Sequence, residues 1–399
     1  MNKINGMLGV SPELRAVLGN IQLPFIRGDW FIADPYKVTT GIIGIEGSVG
    51  DLVTAYDACV SGRGDGIIVL SGGTSAAHTT SDIHSELDWS KHNITVYGVC
   101  APTRMYQRAR INSKNITTSS DGIAFPTVTT ITDSLSGFLT AGFKVGDILR
   151  IYNTTSNTND GTGHIITAVT ADTITCGAST FTVKTHAETG TSVVIDTYCS
   201  SVITVSGNNN SFYNLFINNE DNDALALNAL KVTGARNYFE NIHAANAIAD
   251  AASTVARSLW LTASTCQENT FVRCTFGSDT YDRGNNATYD ILLSGAIARN
   301  RFYDCETSRS TTVGVAGFAV YASATTGGRP TLFENCRFMC WSSAGGNANQ
   351  SYMFASTGNC DFVWFTKCLY PGYAALSNDA VAWISSSYSA NVGSGIMYS

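Results

Sequence analysis

The chain has 399 residues, a formal net charge of −7 and only 14% charged side chains. So acidic a balance with so few Lys and Arg argues against a nucleic-acid partner, because neutralising a phosphate backbone needs clustered cations. No apolar run of about 18 residues is present, so membrane insertion through a helix is not expected.

From the N-terminus, Pro12, Glu13 and Arg15 interrupt the apolar stretch that a secretory signal requires, and folding in a cytoplasm is expected. Ser11 as N-cap, Pro12 at the first helical position and a closing Gly19 predict a short helix over 11–19. Together with the apolar run 21–26 it makes residues 1–40 an anchor segment. Its candidate contacts to a larger partner are Leu14, Val17, Leu18, Leu23, Phe25 and Ile26. Residues 41–119 hold a second helix over 49–60, with Leu52, Val53, Tyr56 and Cys59 as its apolar stripe, and short β runs at 66–70, 93–97 and 108–111. Arg63, Gly64 and Asp65 spell an adhesion tripeptide, but in a Gly-rich connection from helix to strand they read as a turn. Residues 120–198 are Thr-rich. Phe138, Gly142, Phe143, Gly146 and Asp147, followed by alternating runs at 148–151, 165–169 and 173–176, predict a small antiparallel β-barrel inserted into the surrounding architecture.

Residues 199–399 carry a repeat. Phe212, Phe239, Phe271, Phe302, Phe333 and Phe365 are spaced by 27, 32, 31, 31 and 32 residues. Three residues after each stand Leu215, Ile242, Cys274, Cys305, Cys336 and Cys368. Positions three apart cannot share one face of a continuous strand, whose period is two. The chain must bend between them, and Asn214, Asn241, Asp304 and Asn335 at the intervening position suit a left-handed corner, with Arg273 and Lys367 completing the set. Another apolar strand lies upstream of each copy, at 203–205, 230–232, 259–261, 291–293, 318–320, 352–354 and 381–383. Strand, corner and strand in about thirty residues make one coil of a solenoid. The fold class is therefore all-β, a right-handed parallel β-helix of about 30 residues per coil. The barrel insertion and short N-terminal helices complete it, the second helix covering the open first coil. Phe271, Phe302, Phe333 and Phe365 with Cys274, Cys305, Cys336 and Cys368 become internal structural ladders, the cysteines as small hydrophobes.

Chemistry is sparse. Eleven Cys without a Cys-x-x-Cys pair indicate neither a full disulfide framework nor a zinc ribbon. His78, His84, His92, His164, His186 and His243 form no spaced metal pair, and neither metal nor cofactor is expected. The acidic stretch Glu220, Asp221 and Asp223 lacks a spaced calcium loop. The best carboxylate cluster for glycan cleavage is Asp279, Asp282 and Asp290 beside Arg283, with Asp304 and Glu306 one coil later. Asp304 occupies a corner and Asp279 and Asp282 shape the polar loop 277–286, so no catalytic residue is assigned.

Several phrases resemble the β-helix virion structural proteins of tailed bacteriophages: residues 14–19, 28–35, 89–96, 230–239, 267–271 and 333–336. The stretch 30–35 also resembles the opening strand of pectate-lyase-like chains, a likeness of fold. The resemblance implies a homotrimeric, non-enzymatic protein on the virion surface, assembled in the host bacterial cytoplasm. It would be a capsid decoration protein or head fibre bound to other virion proteins, the major capsid protein first among them. A tailspike or tail fibre that binds or depolymerises host surface glycan is the alternative, followed by a cellular β-helix enzyme.

Overall fold

The structure is a computed structural model that describes residues 28–33, 48–49, 52–70, 81–99, 109–177, 181–184, 186, 192–220, 226–245, 256–283, 288–311, 317–323, 329–342, 350–357 and 363–377. The expected helix over 11–19, the six anchor residues and the strand at 381–383 lie outside the described residues. The chain divides into a unit of residues 1–82, 87–112 and 201–399 and a second of 83–86 and 113–200.

The first unit is a parallel β-helix built from three sheets. Sheet I stacks Trp30–Ala33, Gly66–Val69, Thr95–Gly98, Ser211–Tyr213, Tyr238–Glu240, Thr270–Val272, Arg301–Tyr303, Thr331–Glu334 and Val363–Thr366, with Ser48–Val49 at its edge. Sheet II runs from Ser81–Ile83 to Arg337–Ser342, and sheet III from Leu87–Trp89 to Tyr373–Ser377. Within each sheet the strands pair in parallel from coil to coil, which is the winding that the repeat predicts.

Register explains the period. Phe212, Phe239, Phe271, Phe302, Phe333 and Phe365 lie directly opposite one another in successive strands of sheet I. Their rings stack with centroids 4.3–5.1 Å apart and planes within 4–15°. One residue past each strand of this set the chain turns: Asn214, Asn241, Arg273, Asp304, Asn335 and Lys367 all have φ between 50° and 56°. A left-handed residue costs an L-amino acid about 1–2 kcal/mol, least for Asn and Asp, so Arg273 and Lys367 carry the more strained corners. Past the corner, Leu215, Ile242, Cys274, Cys305, Cys336 and Cys368 are buried. Each thiol of this column donates to the carbonyl of a stacked Phe one coil back, Cys305 to Phe271 O at 3.5 Å and Cys336 to Phe302 O at 3.6 Å.

A second ladder runs at the opposite end of the sheet I strands. The buried Asn210, Asn237, Asn269 and Asn300 sit two residues before the stacked Phe rings. The Oδ1 of each rung accepts the backbone N–H of the rung before it, at 2.9–3.0 Å, from Asn210 N–H to Asn300 Oδ1. Each Nδ2 donates to a backbone carbonyl further back: Lys91 O, Gly207 O, Gly234 O and Cys266 O. The residues just before them, Asn209, Arg236, Glu268 and Arg299, are left-handed too. Buried amides thus satisfy the backbone groups that this turn removes from the sheets.

The helix runs Leu52–Ala58, shorter than the sequence suggests, because Ser48–Val49 pairs with Trp30–Ala33 as a strand. Its buried stripe is Leu52, Ala55, Tyr56 and Cys59. Val53, expected in that stripe, is 36% exposed, while Ala55 is fully buried. Lys91 Nζ closes the helix end by donating to Tyr56 O and Asp57 O.

The second unit is one antiparallel sheet in the order Thr117–Ser120, Val193–Thr197, Ile148–Tyr152, Gly161–Val169, Thr173–Gly177, Thr130–Asp133 and Ile123–Ala124. Its two edge strands are separated in sequence only by Asp121 and Gly122, so the sheet curls round on itself. Phe125, Phe138, Phe143, Leu149, Ile166 and Ile195 lie in its core. Gly142 ends the turn Phe138–Ala141 at φ 102°, which a side chain would strain.

Candidate functional site

The motifs that invite a functional reading resolve first. Asp65 is fully buried. Its Oδ1 accepts from Asp29 N and Arg63 Nε, and its Oδ2 from Val60 N and Arg63 Nη2, at 2.6–2.9 Å. Burial pushes its carboxyl up, but the Arg63 and backbone donors outweigh this and leave it below the usual carboxylate range. The tripeptide is an internal clasp on the first coils. Gly28 packs so closely that a Cβ there would meet Asp65 Oδ1 at 1.8 Å.

The carboxylate cluster divides in the same way. Asp290 is fully buried, and its Oδ2 lies 3.5 Å from Nε of the equally buried Arg309. Arg309 Nη2 donates to Thr288 O at 2.7 Å and Phe318 O at 3.2 Å, tying together the entrances of two adjacent sheet III strands. Burial pulls the guanidinium down, yet Asp290, Tyr373 and Cys340 around it together outweigh this, and its pKa is raised. Asp304 sits at its corner and accepts from Asn335 Nδ2, and Glu306 is buried. The side chains of Asp279, Asp282 and Arg283 lie outside the described residues, as do Asp221 and Asp223. Glu220 accepts from Asn112 and Asn218, a fastening between coils. Asp290 and Asp304 are thus engaged within the solenoid itself.

What the sequence reading passes over is the outer face of sheet III. Ile203, Leu230, Leu259, Ile291 and Val320 align and point inward, all buried. The next residues, Thr204, Lys231, Trp260, Leu292 and Tyr321, form the column on the outside. Two cations lie over the Trp260 ring: the Arg257 guanidinium is 4.3 Å and the Lys231 ammonium 4.9 Å from its centroid. Trp260 Nε1 donates to Ser294 Oγ at 2.7 Å, fixing the indole. Further along, Tyr289 and Tyr321 stack at 4.4 Å and 9°, with Phe318 6.1 Å from Tyr289. Trp260, Tyr289, Phe318, Tyr321 and Lys231 are all partly exposed. Burial draws the Arg257 guanidinium down to about 10, still cationic at neutral pH, and its Nε donates to the neutral Asn228 Oδ1 at 2.6 Å. Over the three coil spacings from Lys231 to Tyr321 the strip extends roughly 14 Å. The signal was present in the sequence, as the middle residue of each apolar triplet, but its type changes at every coil.

The outer face of sheet I differs. Tyr97, Tyr213 and Tyr238 line up with centroids 5.7–5.8 Å apart, but the cations beside them are neutralised. Arg273 pairs with Glu240, while Arg236 and Arg299 share Glu268.

No family model matches the chain, and no curated protein matches it. Among solved structures the chain is similar to a pectin methylesterase in complex with a hexasaccharide, at 13% identity and a TM-score of 0.46 over 87% of this chain and 80% of that one. It is also similar to pectin methylesterase PemA from Erwinia chrysanthemi, at 12% identity and a TM-score of 0.45 over 89% and 81%. A third likeness is to tailspike protein gp49 from Acinetobacter baumannii bacteriophage Fri1, a capsular polysaccharide depolymerase. There the values are 10% identity and a TM-score of 0.30 over 80% and 48%. The β-helix rests on the strand register of the chain itself, not on these neighbours.

Proposed function

We propose that the chain is a structural protein of a tailed-bacteriophage particle whose sheet III presents a glycan-binding face. One observation carries the binding role: the partly exposed Trp260, with Lys231 and Arg257 close to its ring, is followed along the same face by the stacked Tyr289 and Tyr321. Aromatic rings offer broad apolar faces at little entropic cost, and the polar groups at their rims fix orientation. A sugar ring, apolar on one face and polar at its edge, suits such a strip. The stacked ladders below it supply a rigid support. The phage setting comes from the resemblance in sequence, with the anchor segment bound to the major capsid protein and three 42.4 kDa chains forming the unit. The Asp290 carboxylate is engaged by Arg309, which favours binding over cleavage.

Host cells and purified host surface polysaccharide provide the test. Wild-type protein binds them, Trp260→Ala and Tyr321→Ala bind poorly with unchanged thermal unfolding, and no reducing ends are released. Equal binding by the three proteins removes the strip from the function. Release of reducing ends that Asp290→Asn abolishes would establish a depolymerase instead.

A further inference from the structure

We infer that Tyr289 and Tyr321 form an oxidative cross-linking site, at which a one-electron oxidant joins the two phenols into a dityrosine that staples one coil to the next. The inference stands apart from the glycan-binding reading. Among the described residues three Tyr–Tyr ring contacts occur, and this one differs from the other two. Tyr97 with Tyr213 and Tyr213 with Tyr238 lie 5.8 and 5.7 Å apart, with planes at 30° and 47°. Tyr289 and Tyr321 lie at 4.4 Å and 9°, an offset stack whose facing carbons are in van der Waals contact at about 3.5–4.0 Å. Adjacent strands of sheet III hold them there. The parallel register sets Tyr289 opposite Phe318 and Leu292 opposite Tyr321, and Phe318 packs near both rings, 6.1 Å from Tyr289 and 5.9 Å from Tyr321. Both tyrosines are partly exposed and so open to oxidants in solvent.

The chemistry balances. Each phenol gives up one electron and its hydroxyl proton and becomes a phenoxyl radical, whose unpaired spin is shared with the carbons ortho to oxygen. In near-parallel rings at this distance the half-filled π orbitals of facing carbons overlap, and one C–C bond forms between two ortho carbons. The hydrogen on each of these carbons then passes through solvent to the ring oxygen, which restores both aromatic rings. Two electrons and two protons have left, and one hydrogen peroxide, reduced to two waters by a haem peroxidase, takes them up. The bond closes a loop over residues 289–321, and it restrains the unfolded chain as a disulfide would. The nine free cysteines among the described residues are all buried, so a covalent link made from solvent falls to exposed rings instead.

The test treats the folded full chain with a haem peroxidase and hydrogen peroxide and maps the digested product by mass spectrometry. The expected result is a single chain lighter by two hydrogens, with dityrosine fluorescence and a linked peptide pair carrying Tyr289 and Tyr321. Oxidation at Trp260 adds oxygen instead, so the two products separate by mass. Tyr289→Phe and Tyr321→Phe keep the ring and lose the phenol, so each should fold and abolish the link, whereas Tyr213→Phe should leave it. Because the stack replaces closure of a loop of about thirty residues, a chain unfolded in guanidinium should give about tenfold less of this link, or lower. The linked protein should also unfold at a higher denaturant concentration than the untreated one. No loss of two hydrogens from the folded chain overturns the inference. So does a product linked mainly through Tyr97, Tyr213 or Tyr238, one joined only between chains, or an equal yield from the unfolded chain.

Discussion

Replacing Asn269 by Ala removes one rung of the buried amide ladder and nothing from the surface. In the native chain its Oδ1 takes the Asn237 N–H at 2.9 Å, and its Nδ2 donates to Gly234 O and Asn300 Oδ1, both at 3.0 Å. Asn300 Oδ1 keeps the Asn269 N–H after the substitution. Two buried backbone groups, Asn237 N–H and Gly234 O, lose these partners. At about 1–3 kcal/mol for each buried group left unsatisfied, the loss is about 2–6 kcal/mol. Guanidinium unfolding followed by circular dichroism should show it as a lower midpoint with an unchanged slope. Hydrogen exchange at the Asn237 amide should accelerate before the rest of the stack. Its neighbour supplies the control: Glu268→Gln weakens only an exposed ion triad and should scarcely move the midpoint. A loss below about 1 kcal/mol for Asn269→Ala, or an Asn237 amide as protected as before, would refute the view that the ladder holds the coils.

Asp65 has a folded pKa below its ordinary value, so its contribution is present above about pH 4 and is lost as the pH falls through the folded value. Amide protection of Gly66–Val69 should therefore collapse in acid ahead of the later coils, and Asp65→Asn should lose it already at neutral pH. Cys305→Ser should cost about 1 kcal/mol or less rather than an orphan's 1–3, because the hydroxyl inherits Phe271 O and Tyr303 O as acceptors; chemical denaturation checks it. Burial pushes the Cys305 thiol well above its ordinary value, so native-state alkylation there should be slow. A variant starting at Gly28 should fold but fail to bind particles lacking the native protein, since Leu14, Val17, Leu18, Leu23, Phe25 and Ile26 each offer roughly 1.5–3 kcal/mol on burial. Retained binding in a pull-down would relocate the attachment.

The Phe and Cys columns were legible because stacking places like residues on like, so an interior column shows up as a repeated letter. The corner was legible for a related reason: Asn and Asp tolerate the left-handed region, and Asn214, Asn241, Asp304 and Asn335 announce it. The preceding turn was not, because Arg236, Glu268 and Arg299 carry no such signature. Asn237, Asn269 and Asn300 stood in plain view, but a polar residue next to a turn reads as solvated until the neighbouring coil supplies its buried partners. Asp290 was ambiguous in the opposite direction. An acid at the mouth of a polar loop suggests catalysis, and only the position of Arg309 shows it to be internal. The sheet III strip escaped because Thr204, Lys231, Trp260, Leu292 and Tyr321 share a position and no chemistry.

The spacing between Phe212 and Phe239 is 27 residues and the later spacings are 31 or 32, yet the rings stack alike throughout. Coil length is therefore not conserved by the packing; only the ladder positions are, and the connections between strands form a separate, loosely constrained currency of change. Residues can be gained or lost there without shifting the frame in which the interior is read, and the segment 113–200, lying in sequence between the solenoid strands that begin at Ala109 and Ser201, is the largest such gain among the described residues. The connections can thus diversify while the stack beneath them is left untouched.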